Sequence, residues 1–229
     1  RQLHWAQVKV YGWLMCQKLG LDHIDLALVY FDIVGEGETV LNQRFDAPDL
    51  EQFFNQQCAL FLDWARQEMQ HRAARNAGAQ SLAFPHVDFR TGQRDLAESV
   101  YKAVTTGRCL MAQAPTGIGK TIGTIFPLLK ALAPQQLDKL FFLTAKTPGR
   151  KLALDAAQVL YASSPDLPLR VLELVARDKA CEHLDKACHG ESCPLAKGFY
   201  DRLPAARQAA SQVRLLDQSS LRSVALAHE

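Results

Sequence analysis

Eight residues, Ala114, Pro115, Thr116, Gly117, Ile118, Gly119, Lys120 and Thr121, limit what this chain can fold into more than any other stretch. They follow a short apolar run at 109–112 and lead into Ile122, Gly123, Thr124, Ile125 and Phe126. The order predicted is strand, glycine-bearing loop, helix, which is the setting a phosphate-binding loop requires. Gly117 and Gly119 let the backbone turn its N–H groups inward toward phosphate oxygens, and the following helix adds the positive end of its dipole. Lys120 brings a full charge to the β- and γ-phosphates, and the Thr121 hydroxyl stands where it can ligate Mg²⁺. These residues read as a nucleoside triphosphate site.

Composition narrows the class without naming a partner. Lys and Arg number 26 against 24 Asp and Glu, so charge alone argues for no nucleic acid. No apolar run is long enough to span a bilayer, and the N-terminus lacks the charged-then-apolar order of a signal peptide. The expected location is cytoplasmic. The chain opens on Arg1 and stops at Ala227, His228 and Glu229, and it reads as a fragment of something longer. Three of six cysteines, Cys181, Cys188 and Cys193, crowd into one window. In a reducing compartment that clustering favours metal over disulfide.

The first segment, 1–70, is expected to be α/β. A helix is predicted over 4–16, with Trp5, Val8, Leu14 and Met15 approximating an apolar stripe and Gln7 and Tyr11 sharing a face. A strand over 26–34, a turn at 35–38 and a return strand over 39–45 follow, then an amphipathic helix from Asp49 to about Met69. His4, Gln7 and Tyr11 resemble the Q-x-x-x-Y helix of RecB-like PD-(D/E)xK nucleases, whose metal-binding acids are expected upstream of Arg1. A plain amphipathic helix with a satisfied Gln has the same sequence. The stretch 71–85 loses the apolar period and is read as a linker, with Arg72 and Arg75 as solvated charge or as phosphate contacts.

A motor core is expected over 86–175. Phe89, Arg90 and Gln93 precede a helix through Ala97, Val100 and Val104 that closes at Gly107. A Gln amide both donates and accepts, so Gln93 can read adenine. After the loop helix, bent at Pro127 and ended by Pro134, a buried strand is predicted over 138–143, landing on Thr144, Ala145, Lys146 and Thr147. Thr144, Lys146, Thr147 and Arg150 offer hydroxyls and charges to a phosphate backbone; a capped turn with exposed bases would look the same. A third strand is expected over 169–175.

The last segment, 176–229, carries the cysteines at C-x6-C-x4-C spacing. Thiolates select zinc or iron–sulfur clusters, with His183 or His189 as possible extra zinc ligands. A helix over 195–212 adds Lys197, Phe199, Tyr200, Arg202 and Arg207.

Together, Gln93, the loop from Ala114 to Thr121, the stretch from Thr144 to Thr147 and the cysteines resemble the DinG/XPD-type iron–sulfur helicases of superfamily 2, in which Ala at the loop's first position is common. The resemblance implies a partial RecA-like P-loop motor with a Cys-rich, mostly helical insertion and a preceding nuclease-like domain. It implies ATP and Mg²⁺ as ligands, with Gln93 and Ala114, Pro115, Thr116, Gly117, Ile118, Gly119, Lys120 and Thr121 at the nucleotide. It implies single-stranded DNA and duplex junctions as partners, 5′-to-3′ movement, and a 4Fe–4S cluster on Cys181, Cys188 and Cys193. The fourth Cys, a D-E-A-H box and a second motor domain are then expected beyond Glu229. Two other readings fit the same residues: a P-loop DNA translocase with a zinc module, and a non-enzymatic module that senses ATP.

Overall fold

The computed structural model describes residues 2–228, with Gln2 and Thr147 described in backbone only. In chain order the elements are α1 (Gln2–Leu19), β1 (His23–Asp32), β2 (Gly37–Asp46), α2 (Ala47–Ser81), α3 (Gln93–Thr105), α4 (Lys120–Ala131), α5 (Thr147–Ser163), β3 (Val171–Leu172), α6 (Arg177–Ala180), α7 (Phe199–Ser211), β4 (Leu215–Leu216) and α8 (Gln218–Leu226). The chain divides into two compact units at Met69 and Gln70, each with its own core.

In the first unit β1 and β2 pair antiparallel, His23 opposite Asp46 through Asp32 opposite Gly37, around a turn in which Glu36 takes φ 49°. Side chains alternate as the pleat requires: Leu26 and Leu28 point inward, and Phe45 joins them from β2. Cys16, Leu26, Phe45 and Leu50 form the core, with Trp5, Val8, Trp13 and Ile24 packed on it. Gly12 lets α1 lie close to Leu26 and Leu50, whose side-chain ends would have to shift to admit a larger residue. A Cβ there would lie 2.9 Å from Leu26 Cδ1 and 3.2 Å from Leu50 Cδ1. On the exposed face of α1, Gln7 Nε2 donates to the Tyr11 hydroxyl at 3.2 Å, so the predicted shared face is real.

The second unit is built on α4. Ile122, Ile125, Leu129 and Leu132, spaced three and four apart, put one stripe into a core shared with Leu82, Ala156, Leu160 and Leu167. Pro127 sits inside α4, where it removes a helix donor without ending the helix. The linker expected at 71–85 needs correction: up to Ser81 it is the last turns of α2. Its small residues serve close packing rather than looseness. Ala79 is buried, and a Cβ on Gly78 would lie 3.0 Å from Pro168 Cδ. Arg75 is buried as well, donating to the carbonyls of Leu137 (2.9 Å) and Asp138 (2.5 Å), while Arg72 pairs with the Asp138 carboxylate at 2.9 Å. Lys130 Nζ donates to the carbonyls of Gln80 and Leu82, closing the end of α2.

The runs expected as strands at 109–112 and 138–143 form none, having no backbone hydrogen-bonded neighbour among the described residues. A strand exists only through its ladder. Met111 is fully exposed, and Phe141 and Leu143 are largely so. Of the third expected strand only β3 forms, pairing parallel with β4. The helix expected over 195–212 begins at Phe199. Among the described residues no helix is long and apolar enough to cross a membrane.

Helix α8 had no counterpart in the expectations, although Asp217 followed by Ser220 is an N-cap signature. The Asp217 carboxylate accepts from the Ser220 hydroxyl (2.7 Å), the Ser220 N–H (2.8 Å) and the Ser219 hydroxyl (2.9 Å). Those donors, Ser220 first, lower its pKa from 3.8 to about 2. A folded-state pKa below the unfolded one means the cap contributes fully above pH ~4 and is lost as pH falls toward about 2. Replacing Asp217 with Ala is therefore expected to lower the melting temperature at pH 7. The gap to wild type should close as the melts are repeated down to pH 2; a gap independent of pH would contradict the charged cap.

Candidate nucleotide and nucleic-acid site

The loop before α4 takes the conformation its glycines allow. Gly117 has φ 85° and Gly119 φ 82°, a region in which an L side chain is strained. Gly119 caps α4, and its carbonyl accepts the first helix bond from the Gly123 N–H at 3.0 Å. Among the described residues, the N–H groups of Gly119, Lys120, Thr121 and Ile122 make no backbone hydrogen bond. Such orphan donors at the positive end of a helix attract an anion. Lys120 opens α4 and folds back, its Nζ donating to the carbonyls of Pro115 (2.9 Å) and Ala114 (3.2 Å). Thr121 lies half-buried in the first turn, Thr116 is exposed, and Ile118 is buried and anchors the loop. Donors, charge and hydroxyl suit a triphosphate with Mg²⁺: the backbone N–H groups and Lys120 would hold the phosphates, Thr121 the metal.

Behind the loop stands the start of α3. Gln93 is only 2% exposed. Its Oε1 accepts from the Arg90 N–H at 3.0 Å, and its Nε2 donates to the Gly119 carbonyl at 3.1 Å. The expected reader of adenine thus has both ends of its amide engaged inside the protein. Arg90, which the sequence reading gave no role, donates from Nη1 to the Gly117 carbonyl. The signal for it was its place three residues before Gln93, in the turn that opens α3. Phe89 is stacked on Phe84 with centroids 3.8 Å apart.

The second group forms at the start of α5. Lys146 is its N-cap residue, exposed, and the Thr144 hydroxyl donates to the Lys146 carbonyl at 3.2 Å. Gly149 closes tightly over Thr144, since a Cβ there would lie 2.9 Å from Thr144 Cβ. The Thr147 side chain lies outside the described residues. Arg150 is drawn away from the solvent: it pairs with Glu173 at 3.2 Å, with side chains 23% and 13% exposed. Glu173 also accepts from the Gln218 N–H at 3.0 Å, so this ion pair fastens α5 to β3 and α8.

The three cysteines do not converge. Among the described residues no three Cys, His, Asp or Glu side chains are gathered so as to hold a metal. Cys193 is buried, Cys188 is exposed with its sulfur 3.2 Å from Arg177 Nη1, and the Cys181 sulfur accepts from the His183 N–H at 3.4 Å. In this arrangement the residues present do not fit a cluster.

Comparison with curated proteins and with solved structures yields no match. A family model, DEAD/DEAH box helicase, matches residues 94–216, more than half of the chain, and takes in the loop, α4, α5 and the cysteine segment. Enzymes of this kind hydrolyse ATP with Mg²⁺ on a RecA-like P-loop fold and act on nucleic acid, which accounts for the free helix N-terminus and for Lys120. The chain belongs to the DEAD/DEAH box helicase family, in superfamily 2.

Proposed function

We propose that this chain supplies the nucleotide-binding and strand-gripping parts of a cytoplasmic DNA helicase that moves 5′-to-3′ on single-stranded DNA and opens duplex junctions. The observation that carries the reading is the row of N–H groups at 119–122, without backbone hydrogen bonds among the described residues, beside Lys120. A nucleotide's phosphates offer these donors the acceptors that the protein does not. Lys120 leaves the carbonyls of Ala114 and Pro115 to reach them, and Thr121 faces the metal. Mg²⁺ neutralises phosphate charge and orients the γ-phosphate when bound. Thr144, Lys146 and Thr147 at the start of α5 grip the DNA backbone, where contacts position the strand and carry no base information. Arg150 serves this grip from behind by holding α5 to Glu173.

Two finer parts of the reading come from the resemblance. One is a nuclease-like domain over 1–70, supported by the Gln7–Tyr11 pair on one face of α1. The other is a 4Fe–4S cluster that would draw on Cys181, Cys188 and Cys193, side chains that the described structure does not bring together. No step above passes through such a cluster. Membership of an ATP-hydrolysing family sets aside the non-enzymatic alternative.

Lys120→Ala is expected to weaken binding of Mg·ATP by about 10- to 100-fold, the worth of a charged hydrogen bond to phosphate, with an unchanged melting temperature. Titration with a fluorescent ATP analogue measures it, and unchanged affinity would remove the nucleotide assignment. For the DNA grip, Lys146→Ala should lower the log–log salt slope of single-strand binding by about 0.7, equally for all base compositions. A loss confined to one base composition would mean direct base reading instead.

A further inference from the structure

Among the described residues β2 pairs with β1 alone, so the second edge of this 10-residue strand is unmatched. An edge of that length offers a row of N–H and C=O groups to another strand, and proteins usually blunt it with a bulge, a proline or a short run. β2 has neither bulge nor proline. Its register with β1 runs unbroken from His23 opposite Asp46 to Asp32 opposite Gly37. All of it is exposed except Phe45, which is buried, and Leu41, which is half-buried. Its charges are Glu38, Arg44 and Asp46. Glu38, Val40, Asn42 and Arg44 share the outer face, because side chains alternate along a strand. There Arg44 is already held: its Nε and Nη2 donate to the Asp25 carboxylate at 2.8 and 2.6 Å. That fork leaves Nη1 to a second carboxylate.

We propose that β2 is a self-pairing edge, through which two copies of this chain join antiparallel about a two-fold axis at Leu41. The geometry of the ladder narrows the choice. Alternate residues of β2 turn their N–H and C=O toward β1, and those between turn theirs outward. Outward residues of one copy must face outward residues of the other, so the axis passes through a residue and not between two. With the axis at Leu41, Glu38 faces Arg44 of the second copy, Thr39 faces Gln43 and Val40 faces Asn42, each pair occurring twice. The overlap runs from Gly37 opposite Phe45, which leaves Asp46 outside. Moving the axis to Asn42 would set Glu38 against Asp46, a like charge, and moving it to Val40 would set Glu38 against Asn42. β1 offers itself no such match, since it carries Asp25 and Asp32 without a Lys or Arg. The result is one sheet of order β1, β2, β2, β1. Leu41 meets its own mate on the half-buried face. Each Arg44 lies between its own Asp25 and the Glu38 of the second copy.

Sedimentation velocity of the full chain, from about 1 to 100 μM, should show a reversible monomer–dimer equilibrium. Glu38→Lys sets like charges opposite each other at both ends of the pairing, and so does Arg44→Glu. Each variant is expected to weaken the dimer by about tenfold, with circular dichroism unchanged. Mixed in equal amounts, the two variants again set unlike charges opposite each other at both ends. The mixed dimer should return to within about threefold of wild-type affinity. Disulfide formation gives a second readout that does not need the charge variants to fold. Val40→Cys mixed with Asn42→Cys should yield a linked dimer under mild oxidation, above the wild-type background, and neither should do so alone. Wild type that stays monomeric throughout the range would overturn the proposal, as would a mixture without the cross-link. A dimer indifferent to both charge variants would place the contact elsewhere. Variants that weaken the dimer without rescue on mixing would remove the facing of Glu38 and Arg44, and with it the axis at Leu41.

Discussion

The bond from the buried Gln93 amide to the Gly119 carbonyl is the constraint on which the site depends. It joins α3 to the start of α4 at the point where the chain leaves the loop. The Gly119 carbonyl has two acceptor sites, and both are in use, one by Gln93 and one by the Gly123 N–H that starts the helix. Leaving a buried amide or carbonyl unpaired costs about 1–3 kcal/mol, so the two bonds stand or fall with the local backbone. Gly119 fits here as glycine, with φ 82° and no Cβ to meet Gln93 Nε2. What remains on the open side is a helix N-terminus with its donors unspent.

Bonds from polar side chains recur as fasteners in the second unit. Arg75 and Arg72 hold the turn at 136–138, Lys130 holds the end of α2, and Arg150 with Glu173 joins α5, β3 and α8. Burial pushes the Arg75 guanidinium below its ordinary pKa, with Arg72 adding to the shift and Asp138 opposing it. It remains charged at any working pH, and a charge at that depth must keep its partners. These fasteners surround the apolar stripe of α4. By contrast, the apolar runs at 109–112 and 140–143 lie open, and among the described residues no backbone beside them completes a ladder.

Where function demands particular residue types, the sequence was readable. Gly117, Gly119 and Lys120 admit few uses together, and the loop stands where they predicted. The hairpin was readable too, because an apolar run from Leu26 meets a turn carrying Gly35 and Gly37, and α4 because its apolar residues recur at three and four. The extension of α2 was hidden. It is held by arginines and small residues, and a search for apolar period sees neither. The partner of Arg150 lies 23 positions away at Glu173, a distance over which a sequence gives no sign of pairing. For Gln93 the amide chemistry was legible and the depth was not. The expected strands failed for a related reason, since a strand is a relation between segments and the apolar run is only half of it.

Hydrogen exchange on the full chain tests the central claim most directly, with and without saturating Mg·ATP. Phosphates seated at the start of α4 should take the N–H groups of Gly119, Lys120, Thr121 and Ile122 as donors, and exchange there should slow by at least about tenfold, equivalent to about 1.4 kcal/mol of protection. The N–H groups at 23–46 in the hairpin should exchange as before. Unchanged exchange at 119–122 under saturating nucleotide would contradict the account, because the donors left open at the start of α4 would then not be the ones that bind.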